Sequence, residues 1–168
     1  MKALRFTLTS VFSSILMTAT AQYNSYYVVG SEKLDTLDTR ILSHQHSGDS
    51  IHKICYELLS HHGDVFKEEC FILIHDGSYQ NIKFISEREL FIQNQVFKVT
   101  KYLKDDPNIA DDEEILFYTP SLGIIFRYNL AWEGYNRLFR TSSLSKTQFG
   151  ILIVDQIMMD KEFLNSLD

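Results

Sequence analysis

From Cys70 onward the chain is a succession of short apolar runs separated by turn residues, and this spacing limits the fold more than any other feature. CFILI (70–74) is apolar on both faces, as an interior strand is, and HDGSYQ (75–80) is a glycine-containing turn into NIKFIS, so the pair reads as a hairpin. ELFIQ and VFKVTKYL flank Asn94-Gln95, and EILFYT and GIIFRYNL flank the turn TPSLG. In the last run Ile124, Phe126, Tyr128 and Leu130 alternate with Ile125, Arg127 and Asn129, the mark of a strand with one buried face. Runs joined this closely leave no room for crossover helices, so the strands pair antiparallel.

The N-terminal half reads differently. Tyr26 to Val29 form a short β-prone stretch that stops at Gly30, and Leu34, Leu37 and Ile41 keep helical spacing. Ile51, Ile54, Cys55, Leu58 and Leu59 fall at i, i+3, i+4, i+7 and i+8, with Asp49 or Ser50 to cap the start and Gly63 placed to end it. That pattern predicts a helix. A second helix is predicted from a capping box at Ser145 to Gln148, with Phe149, Leu152, Ile153 and Ile157 running to about Asp160, although ILIV is also a good strand. The fold class expected is α+β, an antiparallel sheet of about five to six strands covered by two or three helices.

Residues 1–21 read as a signal peptide. Lys2 and Arg5 precede an uncharged stretch that closes on Ala19-Thr20-Ala21, and the apolar part is too short for a transmembrane helix. Residues 22–168 then make a single α+β domain that is secreted or periplasmic and free of the membrane. Removing residues 1–21 takes Lys2 and Arg5 from the 16 basic residues and none of the 22 acidic ones, moving the formal charge from −6 to −8. An acidic chain is a poor nucleic-acid binder. Export also makes a bridge between Cys55 and Cys70, the only cysteines, the expected pairing, with Cys55 on the helix stripe above the strand that Cys70 opens.

Chemistry-bearing residues concentrate in one third of the chain. All six histidines lie between His44 and His75, and alternate histidines such as His44 and His46 can face one metal ion from an extended segment, with His75 or Asp76 as a third ligand. On the predicted helix His52 and His61 fall on opposite faces and cannot both join them. Ser47-Gly48 interrupts the H-x-H-x-D-H arrangement of metallo-hydrolases, so the stretch is expected to be a solvated loop. His61-His62-Gly63 suits a helix C-terminus. His75-Asp76 has the form of an oriented imidazole but no nucleophile beside it.

Other catalytic patterns are incomplete. Ser143 to Lys146 matches S-x-x-K without its companion elements, and the acidic run Asp105 to Glu114 lacks the ligand spacing of a calcium loop. No phosphate-cradling glycine loop, G-x-S-x-G or C-x-x-C occurs, and no cofactor is expected. The aromatic and basic segment 127–140 carries Arg127, Trp132, Tyr135, Arg137 and Arg140, residue types that serve at binding hot spots. The expected function is non-catalytic binding of a protein partner or small-molecule ligand, with a small hydrolase or metal-dependent enzyme built on the histidines as the alternative.

Overall fold

IHKICYELL, the predicted first helix, is a strand. The computed structural model describes residues 22–29, 34–47, 50–60, 62–110, 112–131 and 134–167, so the expected signal peptide and the roles given to Gly30, Asp49, His61 and Trp132 lie outside it. Ten strands are described: β1 (Gln22–Val29), β2 (Leu34–Ser47), β3 (Ile51–Leu59), β4 (Val65–Ile74), β5 (Ser78–Tyr79), β6 (Ile82–Ile92), β7 (Gln95–Lys104), β8 (Glu114–Thr119), β9 (Gly123–Asn129) and β10 (Tyr135–Thr141). Two helices follow, α1 (Leu144–Met159) and α2 (Lys161–Asn165).

The expected sheet of five to six strands covered by helices is therefore corrected to a single sheet of 10 strands, ordered β4-β3-β2-β1-β10-β9-β8-β7-β6-β5, with every pairing antiparallel. Every pairing joins sequence neighbours except that of β1 with β10, and β4 and β5 form the two edges. The sheet coils until its edge strands approach: β4 contacts β5 and β6 at the turn between them, where Phe84 N–H donates to Gly77 O at 2.8 Å. The result is a nearly closed barrel-like sheet.

Why residues 51–59 chose the extended form is visible in their second periodicity. His52, Ile54, Tyr56 and Leu58 alternate, and as a strand all four meet the inner face, while a helix would bury Cys55 and Leu59 and turn Tyr56 outward. Ile54 and Tyr56 join Phe71, Leu73, Tyr102 and Tyr118 in the inner cluster. β2 likewise replaces the helical reading of Leu34 to Ile41.

The outer face of β6 to β10 is closed by the C-terminal helices. Ile153, Val154 and Ile157 of α1 and Phe163 of α2 pack with Val99, Ile115, Phe117 and Leu138. α1 follows the predicted helical spacing, but its N-cap is Ser143, without a side-chain cap bond, so the Ser145–Gln148 capping box is corrected: Thr147 Oγ1 instead accepts from Thr141 N–H at 2.9 Å. Lys101, fully buried on the outer side of β7, donates from Nζ to the carbonyls of Phe163 (2.7 Å), Leu164 (3.1 Å) and Ser166, satisfying the end of α2. Burial, with Arg88 nearby, pushes this ammonium down to about 8.

Cys55 and Cys70 are bridged, as expected, but not by a helix over a strand. They are directly opposed residues of β3 and β4, with Cα atoms 4.1 Å apart. The TPSLG turn also holds. Gly123 sits at φ +81°, and a Cβ there would lie 2.6 Å from Tyr56 Oη, which accepts a bond from Ile124 N–H at 2.9 Å. Gly123→Ala is expected to cost about 2 kcal/mol through backbone strain and displacement of Tyr56. Thermal unfolding checks this, and an unchanged midpoint would show that the turn relaxes without strain.

Candidate functional site

A β-bulge builds the histidine cluster. Along β2 the partner of Ile41 is Tyr56 and the partner of Ser43 is Cys55, which leaves Leu42 outside the ladder and 46% exposed. Before the bulge Leu37 and Ile41 share the inner face with Tyr56. After it the parity changes, and His44 and His46 take that face, opposite Ile54 and His52.

The three imidazoles then meet. His46 Nδ1 and His52 Nδ1 are 2.7 Å apart, so one of them carries the shared proton, and His44 Nε2 lies 2.8 Å from Tyr118 Oη. One ring nitrogen from each of His44, His46 and His52 falls within 4.8 Å of the other two. His46 is exposed and His52 only 9% exposed, so the cluster runs from the surface inward. Burial, then the neighbouring His46, His52 and Lys146 charges, pushes His44 down to about 4. Burial raises the Tyr118 phenol above its ordinary value, which keeps it a hydrogen-bond donor.

The metal alternative takes His75 or Asp76 as its third ligand, whereas the residue that converges on His44 and His46 is His52. The Nδ1 of His75 is 3.0 Å from Asp76 and its Nε2 3.2 Å from Glu87, so a carboxylate lies beside each ring nitrogen. His52, which the helical reading admitted only as an alternative to His61, is the residue that joins His44 and His46.

His46, His52 and His75 nonetheless border one cavity of about 440 Å³, completed by Glu87, Lys98, Thr100, Tyr102 and Pro120. The β2–β3 hairpin forms one side and the β6–β7 hairpin the other, so residues far apart in sequence face each other. Glu87 organises the wall, accepting from Lys98 Nζ at 2.8 Å and from Thr100 Oγ1 at 3.2 Å as well as meeting His75. This size suits a small ligand, and most of the lining residues carry a polar group that could orient one.

The segment 127–140 does not form one surface. Arg127 points into the barrel, 2.7 Å from Glu114 Oε1 and 2.9 Å from Glu69 Oε2. Burial alone would lower the guanidinium, but Glu114 and Glu69 outweigh it and raise it above its ordinary value. Arg137 pairs with Asp155 of α1 at 2.6 Å, and Tyr135 packs on Phe126 under the helices. Arg140 borders a separate depression of about 380 Å³ with Tyr23 and Asp38. The barrel interior around Arg127, Tyr26 and Tyr56 leaves a cavity of only about 20 Å³, room for one water molecule. In the acidic loop, Asp106 Oδ1 accepts from Asn108 N–H and Nδ2, both at 3.0 Å, as a turn does.

Sequence reasoning missed His52, Glu87, Lys98, Thr100 and Tyr118. The alternation of His52 with Ile54 and Tyr56 was the available signal for the first; the others become neighbours only when the sheet curls. Searches of protein-family models, curated proteins and solved structures find no match to this chain.

Proposed function

We propose that this protein binds a small polar ligand, non-catalytically, in the histidine-bordered cavity at the barrel mouth. The observation that carries the reading is the lining of the mouth cavity, where His46, His52, His75, Glu87, Lys98 and Thr100 surround about 440 Å³ while the barrel interior leaves about 20 Å³. A filled interior excludes an apolar guest, and the mouth offers an ammonium, a carboxylate, a hydroxyl and imidazoles, the groups that orient a polar molecule. The Cys55–Cys70 bridge agrees with work in an oxidising compartment, outside the cell or in a periplasm. Within the described residues no helix is long and apolar enough to cross a membrane.

The reading favours binding over hydrolysis because the groups that meet the His75 ring nitrogens are carboxylates and not the hydroxyl or thiol that an imidazole base activates. Native mass spectrometry of protein from its own exported fraction tests it, with a co-purifying small molecule as the expected result. Lys98→Ala is expected to weaken retention of that molecule about tenfold while leaving the melting temperature nearly unchanged, since a half-exposed ion pair contributes under about 1 kcal/mol. A ligand retained equally by wild type and variant would place the site elsewhere, and a ligand-free protein would sink the reading.

A further inference from the structure

We propose that His44, His46 and His52 together bind one divalent transition-metal ion of the zinc or copper type, held by three imidazole nitrogens with an open coordination position toward the mouth cavity. The proposal goes beyond ligand binding in the cavity and does not require it.

Three features of the geometry carry it. The first is convergence: the three nitrogens lie within 4.8 Å of one another, whereas nitrogens bound tetrahedrally at 2.0–2.1 Å from zinc stand about 3.3 Å apart. The second is the scaffold. His46 and His52 are directly opposed across the β2–β3 ladder, and the bulge at Leu42 brings His44 onto their face. Three ligands on two hydrogen-bonded strands are pre-positioned by backbone rather than by mobile loops, and His46 is exposed enough to turn the short distance required. The third is the partner chemistry. His46 and His52 point their Nδ1 atoms at each other across 2.7 Å and share one proton, a contact that a metal ion replaces with two bonds.

The ligand type selects the ion. Imidazole nitrogen without thiolate favours zinc, copper or nickel over calcium and magnesium, which take oxygen. With three protein ligands the fourth position remains for water or a donor atom of a guest, the arrangement that separates open metal sites from closed structural ones. His46 and His52 also border the cavity, where Glu87 and Lys98 stand opposite. An ion there meets an entry path and room for a fourth ligand.

The test is calorimetric titration of chelator-treated, disulfide-intact protein with Zn²⁺ alone, and with Cu²⁺ alone followed by electron paramagnetic resonance. One equivalent per chain is expected, with nitrogen hyperfine structure from imidazoles in the copper spectrum, and no comparable binding of Mg²⁺ or Ca²⁺. His44→Ala and His46→Ala are each expected to weaken binding at least tenfold, as loss of a direct ligand costs no less than loss of a residue that orients one. His62→Ala, at an exposed position whose N–H meets Ser60 Oγ, should titrate like wild type. Because His46 is exposed, His46→Ala keeps the fold even if substitutions at buried His52 do not. Absence of saturable Zn²⁺ and Cu²⁺ binding in wild type, or binding that survives in both His44→Ala and His46→Ala, overturns the site. Neither result depends on the small-molecule reading, which is measured without added metal.

Discussion

Replacing Arg127 with Met is expected to destabilise the protein by about 4 kcal/mol at neutral pH, the cost of leaving buried charges without their counter-ion. Arg127, 18% exposed in its side chain, bridges Glu69 of β4 and Glu114 of β8 across the barrel, and both carboxylates are more buried still. Its guanidinium also lies over the Phe71 ring, 5.4 Å from the centroid. Burial alone would raise Glu69, but the charge and hydrogen bonds of Arg127, helped by Lys67 and Lys104, outweigh it and hold the carboxyl below its ordinary value. A carboxylate depressed in the folded state contributes stability that is present above its unfolded pKa and lost as the pH falls through the folded one. The deficit of Arg127→Met should shrink as the pH falls, because without Arg127 burial alone raises Glu69 and lets the folded variant relieve the buried charge by taking up a proton. Urea unfolding at pH 7 and pH 4 measures both effects. Adding Glu69→Gln to Arg127→Met should recover part of the loss at pH 7. A deficit below about 1 kcal/mol that does not vary with pH would mean that water, and not Arg127, neutralises the two carboxylates.

Removing the disulfide with Cys55→Ala and Cys70→Ala is expected to cost about 3 kcal/mol by the loop-closure argument for about 15 residues, the separation of the two cysteines being 15. The bridge ties directly opposed residues of β3 and β4 at one edge of the sheet, so its loss also lets the edge strand β4 part from the hairpin. Denaturant unfolding of the double variant measures the cost. The same loss should appear in wild type on adding dithiothreitol and be absent from the variant. Thiol labelling of denatured, unreduced protein from its native compartment should find no reactive thiol. Two reactive thiols would overturn the bridge, and equal stability of variant and wild type would show that the ladder alone holds β4.

The pairing of the cysteines was readable from their number and an expected oxidising compartment, yet its setting was not. Ile51, Ile54, Cys55, Leu58 and Leu59 satisfy a helical period, while His52, Ile54, Tyr56 and Leu58 satisfy a strand period. Both patterns are present, and only the offer of hydrogen-bonding neighbours in β2 and β4 decides between them. Bulges hide further alternation: parity changes at Leu42 in β2 and again in β9, where Phe117 opposes Phe126 but Tyr118 opposes Ile124. Ile124 and Arg127, of opposite parity, consequently both face inward.

Local chemistry determined what depends on adjacent residues: antiparallel strands from Cys70 onward joined by tight turns, the helical register of Phe149 to Ile157, the pairing of Cys55 with Cys70, and His44 and His46 as candidate ligands. Tertiary structure decided what depends on curvature. Ten strands coil until β2 to β4 face β7 to β9, which sets Glu69 against Arg127 and His44 against Tyr118. Those pairs are separated by 58 and 74 residues, and no short-range periodicity encodes them. The third histidine follows the same rule: His52 stands only six positions from His46, but whether it points toward or away depends on the choice of strand over helix, and that choice is made by the sheet.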